Sequence, residues 1–242
     1  AGEMHVLGGL LYFSDTAGYY WDASRLLEGG LFSAFAARRP LFPGLLAGLL
    51  GLANHDLQLV LAALVGLCGL ACALAARELR RPHGPVAGAL FLLLLFLFYR
   101  RFIGMTDTEN LGLILGALAF ALLWRGAWLA RRPELLAGAL LLALGLAARA
   151  GAFLVLPALV IWGAWRGREL LLPARGGRMM EIATAGLMVS AVIGLGLALN
   201  LLVYRVTGDG QGRPFGNFAH TLYGMAAGGK GWEQVYQDLP AV

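Results

Sequence analysis

The chain contains six apolar runs, separated by short polar segments that are rich in arginine. A bilayer core about 30 Å thick takes about 20 helical residues to cross. The first and last runs reach that length, whereas the middle four span only if flanking Trp, Tyr and Arg side chains anchor in the headgroups. The runs are residues 57–76, 85–99, 111–124, 135–148, 151–165 and 182–204. The pattern predicts an all-α, polytopic bundle of about six transmembrane helices.

The composition agrees with a lipid environment. The 242 residues are 59 % hydrophobic and 14 % charged, against about 45–50 % apolar and about 25 % charged in a soluble domain. The net charge of +5 comes from arginines that lie between apolar runs rather than on one face, so we exclude nucleic acid as a partner. Cys68 and Cys72 lie four residues apart inside an apolar run, which predicts small core residues. The predicted partner is the bilayer.

Loop charges fix the expected topology. The run at 40–52 is only about 13 residues long, which favours an amphipathic interfacial helix over a span. If it does not cross, most arginines fall on one side, which the positive-inside rule assigns to the cytoplasm. These arginines are Arg77, Arg80, Arg81, Arg125, Arg131, Arg132, Arg166, Arg168, Arg175 and Arg178. We therefore expect a multi-pass protein of the cell (inner) membrane with its active face outward.

This topology divides a single transmembrane domain, residues 1–242, into three parts. Residues 14–56 form an outer loop with interfacial helices, residues 57–204 contain the spans, and residues 205–242 form an outer C-terminal segment. The segment at 100–110 is a further outward loop. We expect the sequence to be truncated at both ends, because it has neither an initiator Met nor a terminal signature.

The outward segments hold the residues that could carry chemistry. Ser14 or Asp15 is a good N-cap for a helix that stops at Gly29-Gly30. Asp15 is therefore either a helix cap or a general base at the membrane surface, and the two roles are compatible. His220 is the one histidine of a Gly-rich aromatic stretch without a P-loop pattern. The histidines form no ligand cluster, so we predict no metal site.

Five arginines outside the basic loops have two interpretations each. Arg38 and Arg39 open the interfacial run, where they either anchor to headgroups or clamp a phosphate. Arg100 and Arg101 precede Asp107 and Glu109, which gives either a self-neutralising loop or a site for an anionic carrier and a hydroxyl. Arg149 stands alone between apolar runs, so it is either a functional charge with a partner or a snorkelling residue at a tight turn near 149–151.

Taken in order, these motifs resemble the C-type glycosyltransferases that use polyprenyl-phosphate sugars, closest to the protein O-mannosyltransferase and aminoarabinose lipid A transferase branch. The motifs are an acid followed by Tyr19, Arg-Pro-Leu-Phe-Pro at 39–43, Thr-Asp-Thr-Glu-Asn at 106–110, Ala-Ala-Arg-Ala-Gly at 147–151, and Leu-Tyr-Gly followed by Gly-Gly-Lys-Gly-Trp at 222–232. The resemblance implies inverting transfer of a sugar on the non-cytoplasmic face, to an unknown acceptor. Thr16 departs from the paired Asp-Glu of many relatives, and a preceding span and further C-terminal spans are missing.

The resemblance also implies roles for individual residues. Asp15 matches the acid of the first loop and would be catalytic, taking the proton of the acceptor. Substrate-binding residues would be Tyr19, Arg38, Arg39, Arg100, Arg101, Asp107, Glu109, Arg149 and His220. Metal use varies in this superfamily, which leaves a divalent metal open. Two other functions stay open: a transporter or flippase for an anionic lipid-linked substrate, and a non-catalytic membrane subunit.

Overall fold

A computed structural model describes residues 5–6, 10–12, 14–149, 154–165, 178–210, 212, 216–231 and 233–239. Two strands of two residues each, β1 (His5–Val6) and β2 (Leu11–Tyr12), pair antiparallel. The described helices are α1 (Asp15–Leu27), α2 (Ala34–Ala37), α3 (Leu41–Leu52), α4 (Leu57–Tyr99), α5 (Thr108–Leu129), α6 (Arg132–Ala148), α7 (Val155–Trp165), α8 (Arg178–Thr207), α9 (Gly216–Ala226) and α10 (Gln234–Asp238). The prediction of an all-α helical bundle is confirmed.

Helix α4 folds back on itself at Gly84. A straight helix of 43 residues would be about 65 Å long, twice the thickness of a bilayer core. Gly84, between His83 and Pro85, has φ 82° and ψ 176°, a conformation that only glycine adopts readily. The chain then returns, because Tyr99 shares a buried cluster with Cys68 and Cys72. The first limb (57–83) and the second limb (85–99) therefore contain the first two predicted spans.

The remaining long helices pack through small residues. A Cβ at Gly138 of α6 would lie 2.7 Å from the side chain of Leu123 in α5. One at Gly163 of α7 would lie 2.7 Å from Val189 of α8, and one at Gly196 of α8 would lie 2.9 Å from the Ala143 side chain of α6. Small residues at helix interfaces let backbones approach closely, as is usual for helices that pack in a membrane.

Three of the described helices, α4, α5 and α8, are long and apolar enough to cross a bilayer. Because α4 folds back, it supplies two limbs rather than one. Helix α6 has 17 residues and α7 has 11, so each is shorter than a full crossing. The protein is a membrane protein by this criterion, and the number of six spans stays a prediction.

The first loop forms a helical cap on the bundle. Phe42, Leu46 and Leu50 of α3 are fully buried in one cluster with α1 and with Val60 and Leu64 of α4. The run at 40–52 is thus a separate helix that packs under α1.

A buried carboxylate closes the same cap. Asp22 in α1 accepts hydrogen bonds from the backbone N–H and the hydroxyl of Ser33, at 2.7 and 2.6 Å. These bonds fix α1 to the segment that leads into α2, so the N-terminal turn of α1 has a defined position.

The two ends of the bundle have different charges. One end, which we call the acidic end, carries Asp15, Asp107 and Glu109. There Thr106 Oγ1 donates to the Thr16 carbonyl at 2.7 Å, and the Phe32 N–H donates to the Thr207 carbonyl at 2.7 Å. The opposite end, which we call the arginine end, carries Arg81, Arg125 and Arg131 around one pocket. This separation agrees with the predicted sidedness of these residues. Arg166, Arg168 and Arg175 lie outside the described residues, and the end that faces the cytoplasm stays a prediction.

Candidate functional site

The first turn of α1 brings Asp15 to the acidic end. Ser14 is the N-cap: its hydroxyl accepts from the Thr16 N–H at 3.4 Å and its carbonyl accepts from the Ala17 N–H at 3.1 Å. Asp15 is thus the first residue of the helix, and the interpretation of Asp15 as the cap is wrong. Its exposed carboxylate lies where the helix dipole favours a negative charge. The carbonyl of the buried Thr16 holds this turn against Thr106.

Asn110 fixes the backbone that carries the next two acids. Its buried side-chain amide donates to the carbonyls of Met105 and Asp107 at 2.8 and 3.1 Å, and its Oδ1 accepts from the Tyr99 hydroxyl at 2.9 Å. The amide thereby ties the turn at 100–107 to the end of α4. Asn110 is not among the site residues predicted from the sequence, although an Asn in the first turn of an apolar helix is a signal for such side-chain bonds to the backbone.

Asp107 is the least compensated acid of the group. It occupies the N-cap position of α5 without a side-chain capping bond, and its Oδ1 is buried without a hydrogen-bond partner. Burial, followed by the negative charges of Glu109 and Asp15, raises its pKa to about 7, while the positive charge of Arg149 lowers it. A carboxyl group with this pKa gains and loses its proton near neutral pH, as a catalytic acid or base does.

Arg149 pairs with Glu109. The guanidinium Nη2 lies 3.0 Å from Glu109 Oε1, with 47 % of the Arg149 side chain exposed and 12 % of that of Glu109. Glu109 Oε2 also accepts from the Thr108 hydroxyl at 3.2 Å. A Cβ at Gly112 would lie 3.2 Å from the Arg149 Cβ, so glycine at this position leaves space for the arginine stem on α5. Arg149 therefore has the partner that the functional interpretation expects, and it ends α6 as its C-cap.

An apolar groove of about 690 Å³ runs between the second limb of α4, α5 and α6. Along α5 it extends from Glu109 to Phe120, a distance of about 16 Å at the helical rise. Phenylalanine and leucine side chains form most of its wall, and its described charged residues are Glu109 and Arg149. A long hydrocarbon chain fits the body of this groove, and an anionic group fits the end with the half-exposed guanidinium.

Tyr19 connects the cap to the acids. It is 2 % exposed, and its ring packs on Phe35 and Phe42 with centroid distances of 4.9 and 5.5 Å. Burial raises the pKa of its hydroxyl; the charge of Arg39 and a hydrogen bond to it lower that pKa, and the charges of Asp15 and Asp107 raise it. The Tyr19 hydroxyl therefore lies near both Arg39 and the acids.

The structure brings Arg39 rather than Arg38 towards this group. Arg38 Nε donates to the Ala34 carbonyl at 3.2 Å, and its guanidinium carbon lies 5.8 Å from the centroid of the Phe35 ring. Arg100 and Arg101 are exposed in the turn after α4.

His220 has its described contacts elsewhere. Its ring centroid lies 5.3 Å from that of Tyr236, with Nδ1 3.5 Å from the Tyr236 hydroxyl. None of the described contacts joins His220 to the acids of the site. Its predicted role in binding substrate has no geometric support.

In the part of the chain that the structure describes, no group of three or more His, Cys, Asp or Glu residues is arranged to hold a metal ion. Asp15, Asp107 and Glu109 thus do not form a donor set, although they lie close enough to influence one another's charge. The group is an arginine beside unevenly paired carboxylates.

Fold and site together define a class: a helical membrane protein with an apolar groove that ends at an ion pair and two further carboxylates. No family model, curated protein or solved structure matches the chain. The function is therefore inferred from the site.

Proposed function

We propose that the chain is a membrane glycosyltransferase that moves a sugar from a polyprenyl-phosphate donor to an acceptor at the acidic end of the bundle. The observation that carries this proposal is the groove of about 690 Å³ that ends at Arg149 and Glu109. The prenyl chain lies in the groove, and its phosphate binds the exposed side of the Arg149 guanidinium. A guanidinium presents paired N–H donors that match phosphate oxygens.

The proposed reaction is an inverting displacement. An acceptor hydroxyl or amine attacks the anomeric carbon from the face opposite the phosphate and forms the new bond. The bond between that carbon and the phosphate oxygen breaks, and its electron pair leaves with the polyprenyl phosphate. Asp15 takes the proton of the acceptor, while Arg149 and Arg39 stabilise the charge that develops on the phosphate.

Asp107 assists Asp15, the carboxylate that takes the proton. Its pKa of about 7 means that it is increasingly ionised as the pH rises through neutrality. Its negative charge then lies close to Asp15 and stabilises the positive charge that develops on the attacking acceptor. Transfer should accordingly depend on two coupled carboxylates rather than on one.

The test is release of polyprenyl phosphate from a polyprenyl-phosphate sugar in proteoliposomes, a readout that also records transfer to water and so needs no known acceptor. Arg149→Gln should lower the rate by about 100-fold, the size of a lost donor to a developing oxyanion. Arg205→Gln is the matched control, an exposed arginine at the end of α8, and should leave the rate unchanged.

The wild-type protein separates this function from the alternatives. Donor that binds the wild type but is never cleaved would contradict the enzyme proposal and leave the flippase and the non-catalytic subunit. Equal loss of cleavage in both arginine variants would show that the overall positive charge of the protein, rather than Arg149 at the end of the groove, determines the rate.

A further inference from the structure

The arginine end contains a second pocket, of about 330 Å³. It lies at the opposite end of the bundle from Asp15, Asp107 and Glu109. It lies where the turn of α4 meets the α5–α6 connection, and Arg81, Arg125 and Arg131 line it together with Trp124. Glu78 pairs with Arg81, while Glu134 Oε1 lies 3.3 Å from Arg125 Nε and 3.2 Å from Arg131 Nη1. Three arginines thus face two carboxylates, which leaves a positive charge for an anion.

Two hydrogen-bond donors and one acceptor, Glu134 Oε2, are buried at this pocket without a hydrogen bond. Trp124 Nε1 and Arg125 Nε are buried without a hydrogen bond, since the contact of Arg125 with Glu134 lacks hydrogen-bond geometry. Buried polar groups in native proteins are almost always hydrogen-bonded, so such donors indicate an acceptor that binds there. The guanidinium groups of Arg81 and Arg131 are still about half exposed, at 42 and 52 % for the side chains, so they can turn towards it.

Two apolar hollows adjoin the pocket and share its residues. One, of about 220 Å³, includes Glu78 and Arg125 and is otherwise lined by leucines and alanine. The other, of about 290 Å³, includes Trp124 and is lined by further aromatic and aliphatic side chains. A free phosphate ion would use the polar pocket alone. A lipid with a phosphate headgroup uses the pocket and the hollow beside Glu78 and Arg125, because the other hollow lies on the opposite face of α5 and shares Phe120 with the groove.

We propose that the arginine end binds the phosphate headgroup of an anionic phospholipid, with an acyl chain in the hollow beside Glu78 and Arg125. Basic pockets between transmembrane helices are suited to anionic headgroups, and the exposed Trp128 beside this pocket is typical of a membrane interface. The site shares no lining residue with the groove and lies at the opposite end of the bundle from Arg149, so the proposal is independent of the glycosyltransferase proposal.

The test measures the melting temperature of the full chain in detergent as phosphatidylglycerol, phosphatidylcholine or inorganic phosphate is added. Phosphatidylglycerol should stabilise the protein at lower concentration than phosphatidylcholine, and inorganic phosphate should have little effect. Equal stabilisation by the two lipids would overturn the proposal. Stabilisation by inorganic phosphate as strong as that by phosphatidylglycerol would assign the pocket to a free anion and overturn the lipid assignment.

Variants locate the effect. Arg81→Gln with Arg131→Gln should weaken the apparent affinity for phosphatidylglycerol by about tenfold or more, one lost charged hydrogen bond being worth about a factor of ten. Arg205→Gln, at the other end, should not change it. If the double variant does not fold, Trp124→Phe decides, because it keeps an aromatic ring and removes the unpartnered N–H. Unchanged affinity in Trp124→Phe and in a folded double variant would overturn the site.

Discussion

The two ends of the bundle arrange the same side-chain types differently. At the arginine end, Glu78 and Glu134 each lie beside arginines, and three arginines face the two carboxylates. At the acidic end, Arg149 pairs with Glu109, and the carboxylates of Asp15 and Asp107 lie nearby without an ion pair of that kind. The arginine end therefore favours an anion alone, whereas the acidic end combines an arginine with carboxylates that compete for protons.

This difference separates binding from proton chemistry. A carboxylate beside an arginine stays ionised, because the opposite charge favours the anion. Asp107 has more negative than positive neighbours and is partly buried, which is why its pKa is raised to about 7. Such a group changes its charge near physiological pH. The two proposals accordingly place proton transfer at the acidic end and the binding of a phospholipid headgroup at the arginine end.

The largest effect should follow from removing the proton acceptor. Asp15→Asn should lower donor cleavage by about 10²–10⁴-fold, the usual contribution of a general base. Asp56→Asn is the matched control, an exposed N-cap of α4 that accepts from the Leu59 N–H at 3.1 Å, since Asn caps a helix as well as Asp does. Undiminished cleavage by Asp15→Asn, with loss in Asp107→Asn, would transfer the role of base to Asp107.

A smaller effect should come from filling the groove. Gly116 lines it with no atom within 4 Å of an added Cβ, so Gly116→Leu should fold and raise the KM for the donor by about tenfold, the value of one lost apolar contact of about 1.4 kcal/mol. Gly66→Leu provides the control, because Gly66 is exposed in the first limb of α4 and also has open space. An equal KM in the two variants would show that the donor chain does not use this groove.

The pH dependence compares the acids directly. Donor cleavage by the wild type should rise with pH and level off above about 7, because ionised Asp107 stabilises the positive charge that develops on the attacking acceptor. Asp107→Asn should keep the fold and abolish this rise of the cleavage rate with pH. A wild-type profile that is flat between pH 6 and 8, or one that Asp107→Asn leaves unchanged, would contradict the coupling of the two carboxylates.

Local sequence signals sufficed where one segment determines the outcome. The apolar run at 57–76 and the run after Pro85 each became one limb of α4, because Gly84 between two prolines permits the reversal. The run at 40–52 was recognised as a separate helix because it is short. Placing Asp15 and Asp107 on one side followed from counting crossings, which requires no packing detail.

Pairings between distant segments could not be predicted in the same way. Glu109 and Arg149 meet because α5 and α6 pack closely, with Gly112 leaving space for the arginine. Arg38 is the C-cap of α2 and Arg39 lies in the bend before α3, so the backbone between the two helices directs Arg39 towards Tyr19. Ser14 and Asp15 are both good caps, so only the backbone distinguishes them.

The smallest effect concerns stability. Because the pKa of Asp107 is about 7 in the folded protein and about 4 in an unfolded chain, the folded state binds the proton more tightly. Its contribution to the free energy of unfolding is therefore present below pH 4 and is lost as the pH rises towards 7.

Asp107→Asn removes the charge that burial disfavours, so it should raise the melting temperature at pH 8 by about 2–4 °C, the shift that corresponds to about 1 kcal/mol in a chain of this size. At pH 5, where Asp107 carries its proton in the folded protein but is ionised in the unfolded chain, the difference between the two melting temperatures should be smaller than at pH 8. Glu78→Gln provides the contrast from the arginine end, because it leaves Arg81 without its partner and should lower the melting temperature at both pH values. If Asp107→Asn instead destabilised the protein at pH 8, Asp107 would be a compensated carboxylate like Glu78, and the difference between the two ends would disappear.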